Sequence, residues 1–243
     1  RCVSVFNVNI WAVTVAGFPP AVQVVAEVGL TAPEDRQSAL QTALERRDLI
    51  EINSRVLIER RRLLNAYDAL AARLLPLNPA KDGGMEELHA LQRICHEMDA
   101  VEIFSDQLSR LGNQWKEPEI VHRELVKARN LAPGNVLVKT ALAEVLLQLD
   151  RPVAALEEVG GALKQAPDYA RAHDVRGAIL LRQRLFSLAV ESFSRAVALS
   201  PGNSAYLVHR ASAYLVLGEA EGMCEDFIEA CGMGDCEGLE WAR

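Results

Sequence analysis

The C-terminal half of the chain repeats one pattern every 34 residues. Pro133, Pro167 and Pro201 stand 34 residues apart, and the next step falls at Asp235, directly after a glycine. Mostly small side chains recur at the eighth, twentieth and twenty-seventh places of each unit: Ala143, Gly177, Ala211, Ala155, Ala189, Met223, Ala162, Ala196 and Ala230. Bulkier side chains recur at the eleventh and twenty-fourth places: Leu146, Leu180, Tyr214, Val159, Phe193 and Phe227. The period predicts units of two short antiparallel helices, ended by proline, which stack because one pair cannot bury its own apolar face.

With this pattern the chain resembles the tetratricopeptide repeat (TPR) family over about Val136–Asp235. The three repeats would span residues 136–167, 170–201 and 204–235. Residues 118–133 look like the second helix of a degenerate copy, and residues 236–243 look like the start of a cap helix. The resemblance implies that residues 117–243 form the right-handed α-solenoid of this family.

The resemblance also implies a binding groove. In this family the first helices of the repeats line the inner, concave surface, and most members bind other proteins. The residues expected to face that groove are Leu137, Thr140, Glu144, Leu147, Gln148, Arg171, Asp174, Ala178, Leu181, Arg182, Ala205, Val208, Ser212, Leu215 and Val216. Its apolar C-terminal end suits an extended or helical peptide with two or three hydrophobic anchors. Alternatively, the chain's own N-terminal arm or cap helix covers Leu181, Leu215 and Val216.

Residues 31–116 are expected to form a long antiparallel helical hairpin. The capping box Thr31–Glu34 starts a helix that runs to about Leu75, and a second helix is predicted from about Met85 to Leu111. Apolar residues fall at intervals of three and four along both: Leu49, Ile52, Val56, Leu63, Tyr67, Leu70, Leu74, Leu88, Leu91, Cys95, Met98, Val101, Phe104, Leu108 and Leu111. Such narrow stripes are typical of a coiled-coil seam, so the hairpin could also pair the chain into an oligomer.

The N-terminal segment, residues 1–30, contains an uncharged run at residues 3–26. A run of this length can span a bilayer, for which about 20 apolar residues suffice. Pro19–Pro20 interrupts it, so a pair of strands or an irregular packed arm is the alternative. A membrane-associated chain with its soluble part outside the cytoplasm is favoured over a cytoplasmic one, because Arg1 would stay on the cytoplasmic side. Since the sequence starts with arginine, we expect a fragment or a processed chain.

Charge and motifs narrow the function classes. The net charge of −7 argues against a nucleic-acid partner. We find no catalytic, metal-binding or cofactor motif. His96 and Glu97 match the first two residues of the zinc-protease motif His-Glu-x-x-His, but Ala100 stands where the second histidine is required. The chain is therefore predicted not to be an enzyme and to need no cofactor. Cys231 and Cys236 could form a disulfide in an oxidising compartment, or could remain buried free thiols.

Three functions follow from these features. The leading hypothesis is a non-catalytic TPR scaffold or adaptor that binds a partner protein or peptide in its groove, in the assembly of a larger envelope or membrane-associated complex. The alternative is an integral structural subunit of a membrane complex or filament, held by residues 3–26. A more distant alternative is an enzyme with a helical-repeat fold.

Overall fold

The computed structural model of the protein describes residues 33–74, 85–111, 115–236 and 238. Residues 40–243 form one compact unit, and of residues 1–39 only the first residues of a helix are described. The run at residues 3–26 lies outside the described residues, so its membrane-anchor and strand interpretations stay predictions. Among the helices that are described, none has both the length and the apolar character needed to cross a membrane.

The regular structure of the described residues is helical, which confirms the all-α prediction. A 3-10 turn at Leu108–Arg110 follows the second helix, and a single bridge joins Leu111 to Trp115. The described part holds nine α-helices: α1 Pro33–Leu74, α2 Met85–Gln107, α3 Pro118–Leu131, α4 Val136–Gln148, α5 Pro152–Gln165, α6 Ala170–Arg182, α7 Phe186–Leu199, α8 Ser204–Leu217 and α9 Ala220–Gly232.

Helices α1 and α2 run antiparallel. Arg62 of α1 pairs with Glu97 of α2 at 3.1 Å, and Arg73, further along α1, pairs with Glu87, earlier in α2, at 3.0 Å. The buried part of the seam lies at the end of the hairpin nearest the repeats, where six residues join the main core: Ile52, Val56, Leu63, Ala100, Val101 and Phe104. Towards the other end the stripe reaches the surface, since Tyr67 and Leu88 are exposed. Coiled-coil packing and oligomer formation through the hairpin stay predictions.

The helix ends and turns of the repeats follow the 34-residue period. Each predicted proline comes two residues after the end of a second helix, α3, α5 or α7. The turn between the first and second helices also repeats, because Asp150, Arg184 and Gly218 all adopt positive φ, of 57°, 62° and 80°. Only glycine takes this conformation without steric cost, so the first two repeats hold it against the preference of their residues.

The recurring side chains form the interior of the solenoid. Ala143 and Ala211 are fully buried at the eighth place, and Phe193 and Phe227 are buried at the twenty-fourth. The alanines of the twentieth and twenty-seventh places are also fully buried: Ala155, Ala162, Ala189, Ala196 and Ala230. Met223 is the exception and is half-buried, at the end of the stack. The small residues permit close helix approach, and the bulky ones fill the space between them.

Gly177→Ala is expected to destabilise the protein by about 1–3 kcal/mol, because it overpacks the second repeat. A Cβ at position 177 would lie 2.6 Å from ring atoms Cδ1 and Cε1 of Phe193. Phe193 is almost wholly buried, so its ring has no free space to enter. Urea denaturation followed by circular dichroism would measure the change.

Gly160→Ala is the matched control within α5. A Cβ there would meet no atom within 4 Å, and alanine favours a helix by up to about 1 kcal/mol over glycine. This variant should be as stable as the wild type or more stable. Equal stability of the two alanine variants would contradict the close contact between Gly177 and Phe193.

Candidate functional site

The predicted groove residues lie on α4, α6 and α8, the first helices of the three repeats. We call the surface they form the first-helix surface. Neighbouring helices are joined along it by one ion pair and one hydrogen-bonded contact. Arg171 of α6 contacts Glu144 of α4, and His209 of α8 contacts Asp174 of α6 with Nδ1 2.7 Å from the carboxylate oxygen. Residues far apart in sequence therefore lie side by side on this surface.

The N-terminal half of this surface is covered by the chain itself. Leu137 and Thr140 are buried, so they do not line an open groove. The covering residue is Trp115, which comes just before α3 and is 4% exposed. Its backbone N–H donates to Oε1 of Gln148 at 3.0 Å, and Nε2 of Gln148 donates to its carbonyl at 2.8 Å.

The side chain of Trp115 is held as well as its backbone. Indole Nε1 donates to Oε2 of Glu144 at 3.2 Å. Arg171 fixes the same carboxylate with two hydrogen bonds, Nε to Oε1 at 2.7 Å and Nη2 to Oε2 at 2.9 Å. Burial alone would lower the pKa of Arg171, but the charge of Glu144 and its hydrogen bonds outweigh burial and raise that pKa. The guanidinium of Arg171 is therefore charged at neutral pH.

Helix α1 also lies on this half of the surface. The guanidinium carbon of Arg55 is 4.5 Å from the centroid of the Tyr169 ring, a cation–π contact. Ile52 of α1 lines the same small pocket as Leu137, Tyr169 and Trp115. Burial raises the pKa of Tyr169 to about 12, so its hydroxyl stays protonated at neutral pH. Neither Arg55 nor Tyr169 was predicted from the sequence, because no local pattern links α1 to the second repeat.

The polar residue Asp174 belongs to the covered half too. Its carboxylate is buried and faces His209. Burial, followed by the charge of Asp174, raises the pKa of nearby Tyr206 well above its ordinary value. We define the filled half as the covered residues Leu137, Thr140, Glu144, Gln148, Arg171 and Asp174.

The C-terminal half of the first-helix surface is open among the described residues. Leu215 is 40% exposed and Val216 is 53% exposed. Arg182 is exposed and its guanidinium pairs with Asp150 at 2.9 Å. The remaining predicted groove residues are half-buried: Leu147, Ala178, Leu181, Ala205, Val208 and Ser212. We define the open half as Ala178, Leu181, Arg182, Ser212, Leu215 and Val216.

Four cysteines lie in the part of the chain that the structure describes. A disulfide joins Cys231, at the end of α9, to Cys236, with their Cα atoms 4.1 Å apart. Cys95 is a half-buried free thiol and Cys224 is an exposed one. Within the described residues, no group of three or more histidine, cysteine, aspartate or glutamate side chains could hold a metal ion.

Comparison with known proteins agrees with the repeat pattern. Residues 140–204 match the family model of the tetratricopeptide repeat. No curated protein matches the chain.

Three solved structures illustrate what the chain is similar to. PilF of Pseudomonas aeruginosa is 23% identical, with 58% of this chain and 62% of that chain covered and a TM-score of 0.49. This chain therefore matches less than two thirds of the length of PilF. YrrB, described as a TPR protein with an unusual peptide-binding site, is 16% identical, with coverage of 68% and 86% and a TM-score of 0.49. MamA of Desulfovibrio magneticus RS-1 is 18% identical, with coverage of 74% and 97% and a TM-score of 0.48.

Proposed function

We propose that this chain, a tetratricopeptide-repeat protein, is a scaffold that holds a partner protein on the open half of its first-helix surface. The observation that supports the proposal is the exposure of two adjacent apolar side chains, Leu215 and Val216, on α8. Solvated apolar side chains on a surface that this fold uses for recognition favour a protein partner over a small polar ligand.

The chemistry of the open half defines the partner. Leu181 and Leu215 occupy the same place in consecutive repeats, so they offer two apolar contacts on neighbouring helices. Arg182 adds an exposed positive charge. Its guanidinium pairs with Asp150, and both side chains are also in contact with solvent. Ser212 adds little, because its hydroxyl donates to the carbonyl of Val208 at 2.8 Å. The partner is therefore a segment with two or three apolar anchors and an acidic residue beside them.

The proposed role follows from what the repeats do with their other surfaces. The small and bulky residues of the repeats pack between helices. Trp115 and α1 occupy the filled half. The open half is thus the part of the first-helix surface that is exposed among the described residues, and we assign it to a second protein. A role in assembling a larger envelope or membrane-associated complex would follow if residues 3–26 anchor the chain, and that part stays a prediction.

Leu215→Glu is expected to abolish partner capture or weaken it by at least tenfold, which is about 1.4 kcal/mol. A carboxylate at the centre of an apolar contact must lose its water without gaining a partner. The measurement is affinity capture on the immobilised chain, with mass spectrometry of the bound proteins and titration of the main one.

Leu188→Glu is the matched control. Leu188 is 46% exposed, close to the exposure of Leu215, but it lies on α7, a second helix. This variant should capture the same proteins as the wild type. If Leu215→Glu also keeps them, or if both variants lose them equally, the open half is not the binding surface.

A further inference from the structure

We propose that the filled half is a recognition site for a segment that carries a tryptophan, and that the chain's own Trp115 occupies it in this structure. The residues of this site lie on α4 and α6, whereas the exposed anchors of the proposed scaffold surface lie on α8. The inference therefore goes beyond the proposed function and does not depend on it.

One side chain holds the backbone of Trp115 at both of its polar groups. A single side-chain amide, that of Gln148, accepts from the N–H and donates to the C=O of this one residue, at 3.0 and 2.8 Å. The same pair of bonds joins residues on neighbouring strands, so it suits a residue with an extended backbone. Both bonds link the segment to a first helix, 33 residues further along the chain.

The site also selects the side chain of tryptophan. The indole Nε1–H of Trp115 donates to Glu144, whose carboxylate is already oriented by two bonds from Arg171. Leucine and phenylalanine have no such donor, so they would leave one contact of the carboxylate unmade. Leu137 and Tyr169 line the same small pocket as Trp115. The site therefore combines an apolar pocket with one polar contact at its far side, as ligand sites commonly do.

Described residues on the two sides of Trp115 bond to one another. The N–H of Lys116 donates to the carbonyl of Arg110 at 2.9 Å, and the side chains of Arg110 and Glu117 form an ion pair across the same turn. Leu111 bridges to Trp115. Trp115 itself is bound to the first-helix surface by both its backbone and its side chain.

An attached segment competes strongly with any free one. A short tether gives an effective concentration on the order of millimolar. A free peptide with the same chemistry is therefore excluded from the wild-type chain at micromolar concentration, and binds once Trp115 is removed.

The experiment uses the full chain and a fluorescein-labelled peptide with the sequence of residues 110–118, RLGNQWKEP, followed by fluorescence anisotropy. Trp115→Ala should bind the peptide at least tenfold more tightly than the wild type. Adding Gln148→Ala to that variant should weaken binding by roughly 10- to 30-fold, because two hydrogen bonds are lost. A peptide with alanine in place of tryptophan should bind no variant more tightly than it binds the wild type.

The variant Trp115→Phe decides the result if Trp115→Ala does not fold, as judged by circular dichroism. Phenylalanine keeps the ring in the apolar pocket and removes the indole donor, so peptide affinity should lie between those of the wild type and a vacated site. A folded Trp115→Ala or Trp115→Phe chain that binds no better than the wild type would overturn the proposal. So would equal binding of the alanine peptide. Leu215→Glu, placed in the same background, should change the peptide affinity less than twofold, which separates this site from the scaffold surface.

Discussion

Glu144→Ala is expected to cost about 3–5 kcal/mol of unfolding free energy, towards the lower end of that range. The change removes one partner of a buried ion pair and leaves the guanidinium of Arg171 without its two strong hydrogen bonds. The side chains of Arg171 and Glu144 are 19% and 17% exposed, so water can repay only a small part of the loss. The indole of Trp115 loses its acceptor as well. Chemical denaturation at neutral pH would measure the change.

Glu144→Gln tests whether charge or hydrogen bonding carries this effect. The amide oxygen can still accept from Arg171 or from Trp115, but the charge is gone. Its stability should lie between those of the wild type and Glu144→Ala. Arg182→Ala is the control, because Arg182 and its partner Asp150 are 57% and 83% exposed. Removing that exposed pair should cost less than about 1 kcal/mol. A similar loss in Arg182→Ala and Glu144→Ala would show that burial of the pair is irrelevant.

Asp226→Ala is expected to have an effect of the same size, about 3–5 kcal/mol, in the last repeat. Arg210 of α8 donates Nε to Oδ2 of Asp226 at 2.8 Å and Nη2 to Oδ1 at 2.6 Å, which joins the first helix of this repeat to α9. The side chain of Asp226 is 4% exposed. The hydrogen bonds that Arg210 donates to this carboxylate raise the pKa of Arg210. Because the ordinary pKa of an arginine already lies far above neutral, the cation persists when its partner is removed.

Asp226→Asn removes the charge of the side chain but keeps its volume and one hydrogen-bond acceptor, so it separates the two effects. The amide keeps one acceptor for Arg210, and we expect about half of the destabilisation of Asp226→Ala. The measurement is again urea denaturation, and a repeat-by-repeat readout by amide hydrogen exchange should show the loss concentrated in α8 and α9. Uniform loss of protection along residues 136–232 would instead show that the solenoid unfolds as one unit, and stability unchanged within about 0.5 kcal/mol would contradict the role of the pair.

The sequence was sufficient for the helices of the repeats, and the reason is local. Pro167 stops a helix by its own covalent geometry, and the burial of Ala155 and Phe193 is decided between helices that are neighbours in the chain. The hairpin was predictable on the same grounds, since Thr31–Glu34 carries a start signal and the helix does begin at Pro33. The conformation of Arg184 was not predictable, because its positive φ is imposed by the repeat geometry against its own preference.

The groove was only half predictable. The sequence identified residues that lie on the first helices, and both halves of the first-helix surface contain such residues. It did not identify Trp115 as the residue that fills one half of the first-helix surface. A single tryptophan in a connecting segment belongs to no periodic pattern, so the sequence does not predict what it contacts. Arg55 was likewise invisible, because its contact is with Tyr169, in a distant part of the chain.

Sequence by itself therefore determined which elements form and how consecutive helices stack. Those choices rest on chain stereochemistry and on contacts between adjacent repeats. Tertiary structure alone decided which part of the first-helix surface meets solvent. That outcome depends on whether Gln148, Glu144 and Arg171 form their hydrogen bonds with a residue of the same chain or with one of another protein. The sequence does not distinguish the two, because the energy of a hydrogen bond is the same in both cases.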